Sequence, residues 1–189
     1  MNYKLKGFTL VEMVGVMVIA SAFSIGLYFI FLSSTKNIGQ EEVLNDVKDY
    51  ATLSLELISK KIRNADQIAI NTMLGSSIIT TTNINDDDSS EQFTYSVINN
   101  VIHENSKPMK FYGSKWIENQ DSYDIDIQMI CSSNNLTFFE SDDADLRDHT
   151  YDLNITVNIQ SNLDQNFEAS YKAYNRIFAI NAFSQLVRI

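Results

Sequence analysis

The chain has little cysteine, little proline and few basic residues, and each shortage excludes something. Cys131 is the only cysteine, so no intrachain disulfide forms, and no zinc-type ligand spacing occurs. Pro108 is the only proline and there are six glycines, so low-complexity linkers are absent, and no internal repeat recurs along the chain. The 14 Lys and Arg stand against 24 Asp and Glu, a formal net charge of −10, with no basic cluster beyond pairs such as Lys60 and Lys61. That balance lacks the electrostatic footprint of a nucleic-acid binder. His103 and His149, the only histidines, sit in no H-E-x-x-H arrangement, and neither G-x-S-x-G nor G-x-x-x-x-G-K-[ST] occurs. The expectation is therefore a protein that is not an enzyme. Cys131 closes an alternating segment, where a thiol is ordinarily a buried structural group.

What the sequence has in abundance is one apolar run. Phe8 to Leu32 contains a single charged side chain, Glu12, and is long enough to cross a bilayer. A carboxylate in that zone costs a few kcal/mol on insertion scales, about 2.5–3.5 at the helix centre, so it needs a partner, a proton or a place near the headgroups. Three readings of the segment differ in where the chain is cut. A secretory signal is mimicked by the basic start from Met1 to Lys6 and by Ala20-Ser21-Ala22, but the apolar run continues to Leu32 and Glu12 interrupts it. A plain anchor would be inserted with Lys4 and Lys6 in the cytoplasm and everything after Leu32 outside. The third reading keeps the anchor and removes the basic leader at Gly7.

Gly7-Phe8-Thr9-Leu10-Val11-Glu12, with a short basic leader before it and an apolar helix after it, resembles the class III signal of type IV pilins and pseudopilins. The resemblance implies cleavage after Gly7 by a prepilin peptidase, N-methylation of Phe8 and retention of the apolar segment as an assembly helix. It also implies the partners: other pilin or pseudopilin subunits, the membrane and an inner-membrane assembly platform, with DNA involved only indirectly if the system serves uptake. Cleavage would remove Lys4 and Lys6 and create a positive amine at Phe8, next to helix N–H groups that favour an anion. In a stack of parallel helices, a neighbour shifted by about five residues, ~7 Å, brings that amine level with Glu12. The segment "FLSSTKNIGQEEVLNDVKDYATLSLELISKKIRNADQI" further resembles the post-membrane helix of W-type minor pilins and J-type minor pseudopilins. Many major pilins close a C-terminal disulfide loop, which Cys131 alone cannot make.

Beyond Leu32, Leu44, Val47, Ala51, Leu55, Ile58 and Ile62 recur at helical spacing, so one amphipathic helix is expected to continue into the globular part. No proline interrupts it from Phe8 to Ala65, and Gly39 is the expected hinge. From about Gln67 the period becomes two. Tyr123 to Met129 and Tyr151 to Ile159 alternate apolar with polar residues, and weaker strand candidates are Ser77 to Thr82, Gln92 to Ile98, Met109 to Tyr112, Asn135 to Glu140 and Lys172 to Ala179. The expected fold is α+β and pilin-like: a long N-terminal helix whose second half covers one face of a mostly antiparallel β-sheet. The expected organisation is a leader over 1–7, a transmembrane and assembly helix over 8–32, an amphipathic helix over 33–66 and a β-rich domain over 67–189. Trp116, with Phe111 and Tyr112 nearby, reads as a core aromatic, with a subunit contact as the alternative.

Asp86-Asp87-Asp88 and Asp142-Asp143-Ala144-Asp145 offer oxygen ligands that suit calcium but lack an ordered ligand spacing, and acidic loop runs are ordinarily solvated, so no cofactor is expected. The function that follows is a minor pilin or pseudopilin, assembled at or near the tip of a type IV pilus-like or type II secretion filament. It would start in the cytoplasmic membrane, N-terminus inside and globular domain outside, and end in the filament. The alternative is a single-pass anchored adhesin or receptor that does not polymerise.

Overall fold

A computed structural model describes residues 9–73, 75–85, 89–111, 123–133, 149–162 and 167–187. The chain divides into two units, Met1–Val43 and Leu44–Ile189. One helix, α1 (Leu10–Asn64), contributes its first part to the former and its last turns to the latter. It is unbroken at Gly39, where a hinge was expected, and nothing approaches within 4 Å of a Cβ built there. A glycine in mid-helix costs only about 1 kcal/mol relative to alanine, too little to interrupt so long a ladder of helical hydrogen bonds.

In the first unit every described side chain from Thr9 to Ile38 is exposed, including Phe23, Ile25, Phe29 and Phe31. The hydroxyls in this apolar stretch are satisfied locally: Ser21 donates to the Met17 carbonyl at 2.8 Å, Ser24 to Ala20 at 2.8 Å and Thr35 to Phe31 at 2.9 Å. Such i−4 bonds let a hydroxyl sit in hydrocarbon without an unmet donor.

The second unit is α+β. Strands β1 (Gln67–Met73), β2 (Ser76–Ile84), β3 (Ser90–Ile98), β4 (Val101–Glu104) and β5 (Lys107–Pro108) form an antiparallel sheet in sequence order. Strands β6 (Tyr123–Ser133), β7 (Thr150–Ser161) and β8 (Glu168–Phe178) form a second antiparallel sheet, followed by α2 (Ile180–Val187). Two sheets thus stand where one was expected. Alternation reports which face of a strand is buried but not which strands are neighbours, and short strands such as β4 and β5 carry too few residues to show a period. Met109 to Phe111 are not a strand. Phe111 instead meets Tyr50 edge-on at 5.7 Å. Tyr112, Trp116 and the candidate strand Asn135 to Glu140 lie outside the described residues.

Hairpins in the first sheet turn on asparagine. Asn99 and Asn100 join β3 to β4 with φ of 51° and 58°, and Asn105 and Ser106 join β4 to β5 with φ of 49° and 65°. Positive φ at both central residues is the hairpin turn whose twist matches the strands, and asparagine tolerates it better than most side chains.

The core sits under the last turns of α1. Val47, Ala51, Leu55, Ile58 and Ile62 are buried as the helical spacing requires, and in the second sheet Ile127, Met129, Leu153, Ile155 and Ile177 are buried as well. Tyr50, Ser54 and Ser59 are buried beside them, and two make bonds that orient the helix. The Tyr50 hydroxyl accepts the Ile102 N–H at 3.0 Å and faces the Ile102 carbonyl at 3.4 Å, tying α1 to β4, and burial pushes its pKa up to about 12. Ser59 accepts from the Asn175 amide at 3.0 Å, tying α1 to β8, while Lys61 lies 3.5 Å over the Phe93 ring on β3. The helix therefore spans both sheets.

One hydroxyl joins the sheets to each other. Buried Ser77 Oγ on β2 accepts the Cys131 N–H at 3.0 Å and donates to the Cys131 carbonyl at 3.3 Å. Ser77→Ala should destabilise the domain by about 1–3 kcal/mol, because both backbone groups lose their partner in the interior. Denaturant unfolding of the full chain in detergent measures this, and an unchanged midpoint would show that water replaces the hydroxyl.

Candidate assembly site at the N-terminal helix

Thr9 and Glu12 build the start of α1. Thr9 lies just outside the helix, and its carbonyl accepts the first helical bond, from the Met13 N–H at 3.1 Å. The Glu12 N–H donates to Thr9 Oγ1 at 3.3 Å. In return Glu12 Oε2 accepts both the Thr9 N–H and the Thr9 hydroxyl, each at 2.9 Å. This reciprocal pattern between a threonine and a glutamate three residues on is a capping box, which satisfies donors that every helix N-terminus leaves open. Position in the first turn also favours the carboxylate through the helix dipole.

Glu12 therefore has a use within its own chain, and only half of it is spent. Oε2 carries both bonds; Oε1 has no hydrogen-bond partner among the described residues. Its surroundings are the exposed apolar side chains Leu10, Val11, Met13 and Val16. A carboxylate held by its own helix start, with one oxygen presented from an apolar surface, is suited to receive a cation brought by another molecule. The same helix is long and apolar enough to cross a membrane.

A family model of the prokaryotic N-terminal methylation motif matches residues 4–28. Over this segment the chain carries the N-terminal motif found in type IV pilins and pseudopilins. No curated protein and no solved structure matches the chain. The pilin-type match covers Lys4, Lys6, Gly7, Phe8 and Glu12, and of these only Glu12 lies among the described residues. It coincides with the capping box and most of the exposed apolar helix. A pilin-type fold, with a long N-terminal helix whose end packs on antiparallel sheets, follows below it in the chain.

Thr9 was not among the residues singled out by sequence, although its signal was present: Thr9-Leu10-Val11-Glu12 is itself the capping-box pattern. The apolar run drew attention to what was unusual about Glu12 in lipid and away from its ordinary use at a helix start. Elsewhere, Cys131 is buried, and burial pushes its thiol up to about 12, so it stays protonated at neutral pH and is a poor nucleophile. His103 faces its own strand, its Nδ1 lying 2.9 Å from the Val101 carbonyl. Asp152 is held below the usual carboxylate range by Arg176, 2.9 Å away, with help from the Tyr174 hydroxyl at 2.7 Å. These are structural cross-strand contacts on β7 and β8. No group of three or more His, Cys, Asp or Glu gathers among the described residues, and the acidic runs at 86–88 and 142–145 lie outside them.

Proposed function

We propose that the chain is a minor pilin or pseudopilin, made as a precursor and assembled into a type IV pilus-like or type II secretion filament. The methylation motif at residues 4–28 carries this reading. Lys4 and Lys6 hold the leader in the cytoplasm, residues 1–7 are removed by a prepilin peptidase after Gly7, and the new Phe8 amine is methylated. Residues 8–32 remain in the membrane until an inner-membrane platform transfers them to the filament. There the segment exchanges lipid for neighbouring helices. Residues 33–66 lead into the globular domain, which stays outside and meets neighbouring subunits. A place among the minor subunits, at or near the tip, suits a chain that cannot close the disulfide loop of many major pilins.

In this reading the Thr9–Glu12 box has a second task. Oε2 stays bound to Thr9, and Oε1 receives the Phe8 amine of the next subunit, so that each newly cut N-terminus is recognised by a carboxylate already in place. Intact-mass and N-terminal sequence measurement of the protein purified from membranes should give a mature chain starting at N-methylated Phe8. A start at Phe23 would restore a secretory signal, and a retained Met1 would leave only an anchor.

A further inference from the structure

The free edge of β6 is open along part of its length. At Cys131 the outward N–H and carbonyl are taken by Ser77 of β2. Because β6 pairs with β7 on its other side and backbone direction alternates, the same outward edge carries the N–H and C=O groups of Ile125 and Ile127. These make no hydrogen bond among the described residues. In front of them lies a hollow of about 490 Å³, lined by Asp126, Ile127 and Gln128 on one side and by Ser96, Val97 and Ile98 on the other. Asn100, at the β3–β4 turn, lines both this hollow and a second of about 150 Å³ against Tyr123, Asp124 and Ile125. The two sheets, pinned at Ser77 and Cys131, thus part along a trough from Gln128 to Tyr123.

We propose that this trough takes an extended segment of a partner protein, which adds to β6 as a further strand. The floor selects polypeptide: Ser77 supplies to Cys131 the donor and acceptor that an added strand would supply to Ile127 and Ile125. The available edge accommodates about six residues, ~20 Å of strand. The walls select its side chains. Met73 and Ile98 on the rim are 59% and 43% exposed, which suits an apolar side chain. Among the described residues, Asp126 and Asp124 are the charged groups that line the two hollows, which suits a neighbouring lysine or arginine. The occupant is therefore a projecting loop or terminal arm, apolar and basic. This inference concerns β6 and stands whether or not the N-terminal helix polymerises.

The test is photo-cross-linking of the full chain in its native membrane, with benzoylphenylalanine in place of Ile98 on the rim and, separately, in place of Leu53 on the exposed side of α1. Mass spectrometry of the products should place the Ile98 cross-links on one short basic and apolar stretch of a partner protein, absent from the Leu53 probe. Asp126→Lys in the Ile98-probe background should reduce those products about tenfold, and Asp126→Asn by less. Cross-links confined to lipid, to this chain itself or to β6 of a second copy would overturn the proposal, as would products scattered over many proteins or unaffected by Asp126→Lys. If mature N-methylated Phe8 is found while the Ile98 cross-links fail, the trough is wrong and the pilin reading stands. The opposite outcome removes only the latter.

Discussion

Glu12→Gln should leave the start of α1 intact and still reduce incorporation into filaments by a hundredfold or more. The two oxygens of Glu12 make the separation possible. Oε2 holds Thr9, and a glutamine serves equally well at that position of a capping box, since its amide oxygen accepts the same bonds. What glutamine lacks is charge. If Oε1 receives a neighbour's Phe8 amine within a packed apolar bundle, removing the anion leaves that amine buried without a counter-ion, at a cost of about 3–5 kcal/mol. Such a cost is roughly two to four orders of magnitude in an association constant. Glu12→Leu loses both roles, and Thr9→Val loses the cap alone, at about 0.5–2 kcal/mol of helix stability. Thr9→Ser should restore it. Amide exchange at Leu10 to Met13 in detergent reads the cap, and filament incorporation reads the charge. Normal incorporation of Glu12→Gln beside failure of Glu12→Leu would make Glu12 a helix cap and nothing more.

Ile58→Ala and Ile155→Ala should each destabilise the globular unit by about 2–5 kcal/mol, through lost burial and the cavity left behind. Both side chains are fully buried, Ile58 under the helix and Ile155 on the central strand of the second sheet. Ile19→Ala, in the exposed part of the same helix, should leave that stability unchanged. Denaturant unfolding of the full chain in detergent, followed by near-ultraviolet dichroism, distinguishes these cases. The contrast matters because α1 is one helix with two environments. If Ile19→Ala were as damaging as Ile58→Ala, the N-terminal segment would be part of the folded core rather than a surface held for lipid or other subunits. If Ile58→Ala were harmless, the last turns of α1 would not be the cover of the sheets.

Much of this was legible in one dimension. A membrane-length run without charge, a glycine and an aromatic before it, and a carboxylate near its start are local signals. They need no neighbour in space to be recognised. The helical stripe from Val47 to Ile62 is local too, because a repeat of 3.6 residues fixes which side chains share a face. The same holds for the alternation in β6 and β7. The capping box was equally local and was passed over, since Thr9 is unremarkable until its hydroxyl is seen bonded to Glu12.

Other features required the tertiary structure. Tyr50 sits off the aliphatic stripe, and only the approach of β4 shows that its hydroxyl meets the Ile102 backbone. Ser77 and Cys131 are far apart in sequence, and nothing near either residue announces their two bonds. The division into two sheets and the trough beside β6 arise from strand order and from where paired backbones stop pairing, which side-chain patterns do not record. The sequence by itself determined the kind of N-terminus, the helix that carries it and the faces of its strands, because these depend on periodicity within one segment. Tertiary structure decided which strands became neighbours, which polar groups tied the helix to both sheets and which edge was left open, because each depends on meetings between segments distant along the chain.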